Sequence, residues 1–269
     1  MSQRAIANAP LHAVVRAVAG LAADHELRHR FGLSARHFFP LRPVLDGDTL
    51  KALPLPALAA AWRTKHETPA KGQPTLDVLV GANTEEMRFY LVPDGSIRHI
   101  RMDRVQSFVH DCGAGPEVIE AYKAAQAAAT PGELLCAMQS DYFYREPARR
   151  IATLAAAAGH NTRHYQFAWS SPANGGLLGA AHAVELPFVF NTLRSVQGQV
   201  LSGSNPPCGL AEKMHRSWAE FVRTGQVPDW PLAAGEKPCS QRFDETSRIT
   251  TMPLPGEAAS WQYGEDLAA

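Results

Sequence analysis

Two strand-like stretches, LDVLVGAN at 76–83 and RHYQFAWS at 163–170, stand about eighty residues apart with mostly helical sequence between them. The first is apolar and β-branched without strict alternation, which suits a strand covered on both faces and interior to a parallel sheet. The second is rich in aromatic residues. Parallel strands cannot be joined by a tight turn and need a crossover, for which a helix-rich segment is the usual solution. This pair therefore predicts an α/β fold.

Helix candidates fill the crossover and flank it. Between the strands they are EVIEAYKAAQAAA (117–129), a weaker one at 132–144, and EPARRIATLAAAAG (146–159), closed by Gly159. Before the first strand, residues 10–32 place Leu11, Val14, Val15, Val18, Leu21 and Ala22 at helical spacing, with Pro10 suited to the first turn and Gly32 to the end. Residues 38–56 are broken by prolines and carry a turn signal at Asp46–Gly47, so they read as extended chain and loops, and 57–63 as a short helix. After the second strand, 210–225 is amphipathic, with Met214, Trp218, Phe221 and Val222 on one face and Gly225 as its stop. Residues 247–254 read as a further strand. At 269 residues without an internal repeat, a single domain over 1–269 is expected.

Composition excludes some partners. Lys and Arg total 26 and so do Asp and Glu, leaving no excess of charge to hold nucleic acid or an anionic membrane surface. Cys112, Cys136, Cys208 and Cys239 share no CxxC spacing and are too sparse for a disulfide framework. His12 and Arg16 interrupt the N-terminal apolar runs, so neither a signal peptide nor a membrane span fits, and a cytoplasmic protein is expected.

In open α/β sheets the reacting groups gather beyond the carboxyl ends of the strands. The loop after the first strand, GANTEEM (81–87), carries adjacent carboxylates Glu85 and Glu86. The loop after the second delivers His182 within LLGAAHAVELPFVFNTL (177–193), an apolar run that no water-facing loop would choose. A carboxylate on one strand end and an imidazole on a later one can form the acid and base of a hydrolytic triad, the acid fixing the tautomer and stabilising the imidazolium. On spacing alone, the plain alternative is a pair of solvated loop acids and a satisfied buried histidine.

The residues quoted so far resemble type-B carboxylesterases, the cholinesterase and para-nitrobenzyl-esterase family of α/β-hydrolases. The likeness runs through PVLDGDTL (43–50), VLVGANTEEM (78–87), SPANGGLLGAAHAVELPFVFNTL (171–193) and SWAEFVRTGQVPDWP (217–231). The first and last blocks are soft; the two middle ones, in this order and at this separation, are specific. The resemblance implies that Glu86 matches the triad carboxylate of the family's N-x-D/E-E motif, with Glu85 as its neighbour, and that His182 matches the triad histidine. Glu185 matches the acid of the H-x-x-E-L-P block and is expected to support the histidine loop. The chain departs from the pattern at Met87, where many members have glycine. No cofactor is expected, and the substrate class implied is a small carboxylic ester.

The same resemblance calls for a serine on a G-x-S-x-G elbow and a glycine-rich oxyanion loop, both upstream of the acid. Neither pattern occurs before Glu86: Ser34 lies in GLSAR, with arginine where the second glycine belongs. Ser204 is followed by two prolines rather than a helix. Cys112, just before the 117–129 helix, is a weak substitute, because helix N-termini lower thiol pKa but no strand leads into it. The chain thus reads as the C-terminal half of an α/β-hydrolase fold, carrying acid and histidine without the nucleophile and inactive alone. It would take an ester only if complemented, and its uncovered sheet edge invites pairing with another chain. The alternative is a non-catalytic hydrolase remnant or interaction module. HELRH (25–29) also matches the zinc signature H-E-x-x-H through His25 and His29, although Arg28 and Arg30 put positive charge beside the would-be metal.

Overall fold

A computed structural model of the chain describes residues 8–23, 43, 45–67, 75–235, 237–252 and 261. They belong to two compact units, Met1–Leu53 and Pro54–Ala269. In the first, α1 (Leu11–Ala23) follows Pro10 as its sequence dictates, with Leu11 and Val15 of its apolar face left exposed. The expected turn at Asp46–Gly47 forms. Asp46 Oδ1 accepts the backbone N–H groups of Asp48, Thr49 and Leu50, Gly47 adopts φ 75°, and these bonds, that of Leu50 foremost, hold the Asp46 carboxyl below its ordinary value.

The second unit is built on a mixed sheet. Helix α2 (Pro54–Glu67) precedes strand β1 (Asp77–Asn83), and the crossover then runs through α3 (Arg88–Leu91), a 3₁₀ turn at Ser96–Arg98, α4 (Met102–Asp111), α5 (Glu117–Ala125), α6 (Pro131–Ser140), a π-helical turn at Asp141–Arg145, and α7 (Glu146–Ala157). Strand β2 (Asn161–Phe167) lies parallel to β1 in a register from Asp77 opposite Asn161 to Asn83 opposite Phe167. Beyond it come α8 (Leu186–Val189), α9 (Val196–Ser202), α10 (Cys208–Thr224), β3 (Cys239–Phe243) and β4 (Arg248–Thr251). Strand order is β1-β2-β3-β4, with β3 parallel to β2 and β4 antiparallel to β3.

The expected long crossover between parallel strands is present, and its helices end where local chemistry directs. Thr130 and Glu133 form a reciprocal capping box at the start of α6. Gly225 closes α10 at φ 71°.

Several expectations need correction. Among the described residues strand β1 is not interior: it stands at one end of the strand order, its residues Val78–Gly81 are half-buried, and of the strand only Ala82 and Asn83 are buried. An apolar run reports tolerance of burial on both faces, not which neighbours are present. Among the described residues no strand pairs with its other edge. The parallel strand β3 and the helices α4 and α9 have no counterpart among the elements expected from sequence. CSQRF is too short and polar to stand out, yet its buried Phe243 and Ser240 fill the position beside β2. On α10, Met214 is buried and Trp218 and Phe221 pack on the core, but Val222 is 82% exposed. The face of that helix is centred on Leu210, Ala211, Met214 and Trp218; Val222 stands at the edge of that face, about 20° around from Ala211, in the last turn of the helix, where the core no longer covers it.

The core explains the apolar run around the histidine. Leu178, Ala180, Ala181, Val184, Phe188 and Val189 pack with Phe167, Trp169, Met214, Trp230 and Phe243 into one cluster on the sheet. At roughly 1.5 to 3 kcal/mol for each large apolar side chain buried, this cluster holds the histidine loop against the strand ends. Among the described residues no helix is long and apolar enough to cross a membrane.

Candidate active site

Parallel pairing brings the carboxyl ends of β1 and β2 side by side, and the loops leaving them are stitched together. Thr84 N–H donates to Phe167 O (2.9 Å), Glu85 N–H to Ala180 O (3.0 Å) and His182 N–H to Glu86 O (3.1 Å). Two loops separated by nearly a hundred residues of sequence thus form one surface beyond the strand ends.

Glu86 and His182 meet on it. His182 Nδ1 lies 2.7 Å from Glu86 Oε2, while Glu86 Oε1 accepts the backbone N–H of Asn83 at 2.7 Å. The carboxylate is buried, 6% exposed at the side chain, whereas the imidazole is 41% exposed. The bond to Glu86 raises the His182 pKa above its ordinary value; partial burial opposes this, and the charges of Glu86 and Glu185 add to it. With Nδ1 engaged, Nε2 is the nitrogen left for other chemistry. Among the described residues, no hydroxyl or thiol hydrogen-bonds to this histidine.

The neighbouring acids have distinct positions. Glu85 accepts the Ala180 N–H at 2.9 Å and pairs with Arg88 at 2.7 Å, and Arg88 in turn donates to Leu177 O. Gly179 makes this possible: at φ 63° it is in the left-handed region, and a Cβ there would stand 2.2 Å from Glu85 Oε2. Glu185 turns back to the end of β1, where its carboxylate accepts from the Asn83 side chain; burial pushes its pKa up. An open cleft of about 610 Å³ runs along the Glu85 side of the acid loop, lined in part by Thr84, Glu85, Arg88, Glu133 and Arg145.

Met87, where the resemblance leads to glycine, sits at φ −73° with its side chain buried against Leu91, Val92, Ile97 and Cys136. The backbone there does not need a glycine, so the substitution leaves the carboxylate in place.

Sequence reasoning does not single out the aromatic wall around the imidazole. The rings of Phe89, Tyr90 and Tyr144 lie 6.0, 5.7 and 5.3 Å from the His182 ring. Phe89 and Tyr90 follow the acid within one turn. Tyr144 comes from the π-helical turn, where Asp141 is buried against Tyr122 and Arg145, and no local signal marks it. Asn83 is equally silent in the pattern, although it opens the motif that contains Glu86.

Other candidates fall away or lie elsewhere. Cys112 is at the C-terminal end of α4, five residues before α5, and burial pushes its thiol up to about 12. A helix C-terminus disfavours a thiolate, so the expected N-terminal activation is absent. Ser204 follows Gly203, the residue that closes α9, and precedes no strand-to-helix elbow. His25 and His29 are outside the described residues. Among the described residues, no three His, Cys, Asp or Glu side chains are placed to hold a metal ion.

Comparison with known proteins fits this geometry to a family. The profile of the carboxylesterase family matches residues 21–251. The chain belongs to that family. A curated relative, phenmedipham hydrolase of Pseudarthrobacter oxydans, is 25% identical over 243 residues, covering 87% of this chain and 45% of that protein. The crystal structure of a Geobacillus stearothermophilus carboxylesterase aligns with TM-score 0.66 at 25% identity, covering 93% of this chain and 54% of that one. A thermophilic para-nitrobenzyl esterase aligns at 0.64 with 20% identity, covering 88% and 46%, which supports the fold alone. The chain spans about half the length of these relatives. Its sheet and helices are therefore those of an α/β-hydrolase fold.

Proposed function

We propose that this chain supplies the acid–histidine part of a serine carboxylesterase site, with Glu86 orienting His182 and His182 Nε2 serving as general base. The observation that carries this reading is the 2.7 Å contact between Glu86 and His182 Nδ1, made by a buried carboxylate and a half-exposed imidazole. In ester hydrolysis such an imidazole takes the proton of an attacking serine hydroxyl and returns it to the leaving alcohol, while the carboxylate stabilises the imidazolium between the two transfers. Family membership supports a small carboxylic ester as the substrate class. Glu85 and Glu185 act on the loops rather than on substrate.

The serine and its oxyanion donors have no counterpart in the pattern of this sequence, so the chain alone turns over esters no faster than the buffer. Activity then requires another segment that brings a G-x-S-x-G serine to Nε2. The edge of β1 that no strand pairs among the described residues, directly beside the acid loop, is the surface on which an added strand would place it. Hydrolysis of para-nitrophenyl acetate and butyrate by the purified chain tests the reading, with His182→Ala as the control. Expected is no turnover in either. Turnover that His182→Ala abolishes would mean the chain contains its own nucleophile and would overturn the proposal.

A further inference from the structure

One buried side chain joins the acid strand to the histidine loop. Asn83 is the last residue of β1 and is 1% exposed. Its backbone N–H holds Glu86 Oε1 at 2.7 Å. The carboxamide points the other way, donating to the carbonyl of Ala181, the residue before His182, at 2.7 Å, and to the carboxylate of Glu185. Both hydrogens of one nitrogen are thereby used, one on each partner.

Those contacts specify an asparagine. Leucine would fill the space but take a donor from the Ala181 carbonyl, leaving it the Val184 N–H alone, and remove the side-chain donor of the buried Glu185 carboxylate. Aspartate would place a third acid beside Glu86 and Glu185 with nothing to donate. A lysine or arginine would bring a positive charge that competes with the imidazolium for Glu86. The neutral two-donor amide alone satisfies Glu185 without that competition.

We infer that Asn83 is a positioning residue for the Glu86–His182 pair: by pinning Ala181 and giving Glu185 a donor, it favours a second negative charge on Glu185 behind the imidazole. The inference rests on the functional reading above and deepens it. Charge on Glu185 favours the protonated form of His182, the form that exists between proton uptake and release. Burial pushes Glu185 toward its neutral form, and the Asn83 bond is the main opposing influence, so losing that bond shifts it further toward that form. Among the described residues, the titratable rings against the imidazole are Tyr90 on α3 and Tyr144 on the π-helical turn, while Tyr165 on β2 feels the charges of Glu185 and Glu86; burial holds the phenols of Tyr144 and Tyr165 well above their ordinary value, so both stay neutral. Glu85 is engaged by Arg88.

The test is NMR titration of ¹⁵N-histidine-labelled chain, with the His182 signal assigned by its loss in His182→Ala. Glu86→Gln should lower the His182 pKa, and failure to do so would refute the acid–histidine pair itself. Glu185→Gln keeps an oxygen for Asn83 to bond and removes only the charge; it should lower the His182 pKa. Asn83→Leu should lower it too, and the double variant should fall no further than Glu185→Gln alone, because both changes act on the same charge. If Asn83→Leu leaves His182 unmoved while Glu86→Gln moves it, the pair stands and the inference fails. Should Asn83→Leu not fold, Glu185→Gln decides: an unmoved His182 overturns the inference, and a lowered one supports it.

Discussion

Replacing Gly179 with alanine should loosen the loop that carries His182, by an amount that its surroundings set. Gly179 has φ 63°, a conformation that costs an alanine about 1 to 2 kcal/mol. Its new Cβ would stand 2.2 Å from Glu85 Oε2 and 3.0 Å from the carboxyl carbon, so the carboxylate must leave the Ala180 N–H that it accepts at 2.9 Å. A hydrogen bond to a charged group is worth about 1.5 to 3 kcal/mol, and because the Glu85 side chain is 35% exposed the lower end applies. Gly179→Ala should therefore cost about 3 kcal/mol. Gly175 and Gly176, in the same loop at φ 68° and 83°, have no heavy atom within 4 Å of where a Cβ would stand, so alanine at either should cost only the backbone part. The difference of about 1.5 kcal/mol corresponds to roughly 3 °C in melting temperature for a chain of this size. Urea unfolding followed by tryptophan fluorescence, at unchanged slope, measures it. In a Glu85→Ala background the extra cost of Gly179→Ala should vanish. Equal destabilisation at 175 and 179, or a penalty that survives Glu85→Ala, would refute the claim that Glu85 clamps the histidine loop.

Two further outcomes follow from the ionisable groups. Because Glu86 raises the His182 pKa, the pair stabilises the fold while the imidazole is protonated; the contribution is complete below the ordinary histidine value of 6.5 and fades as pH rises through the raised one. The gap in urea midpoint between the native chain and Glu86→Gln should thus be wider at about pH 6 than at about pH 9, and a gap that widens with pH would contradict the assigned hydrogen bond. Burial pushes the thiols of Cys112 and Cys136 up to about 12, whereas Cys208 is exposed. Mass spectrometry after brief treatment with a thiol-reactive disulfide at neutral pH should find Cys208 modified first, and prompt modification of Cys112 in the folded chain would revive it as a nucleophile.

Much of the fold could be read from local pattern. The apolar strand at 76–83, the helices closed by Gly159 and Gly225, and the turn at Asp46–Gly47 all follow from short-range rules, because each depends on residues within a few positions of one another. What local pattern could not supply was the identity of neighbours. Strand β3 is legible only through its partner β2, and β1 carries the same residues whether one or both of its edges are paired. The exposure of Val222 likewise depended on how far along α10 the core extends.

The candidate site divides in the same way. The order of the loops and the residue types in them, Glu85–Glu86 after one strand and His182 in a buried run after the next, are properties of the chain, and the family likeness could be carried on those residues alone. Distance is not such a property. That Glu86 rather than Glu85 reaches the imidazole follows from Ala180 and Arg88 engaging Glu85 while Asn83 holds Glu86. Tyr144 arrives against His182 only because a π-helical turn re-aims it, and Asn83 touches Ala181 and Glu185 across about a hundred residues of chain. Sequence by itself determined which groups are available and in what order the strands deliver them. Tertiary structure decided which of them share a hydrogen bond, because parallel pairing of β1 and β2 brings remote loops together and burial then makes every polar group in them find a partner.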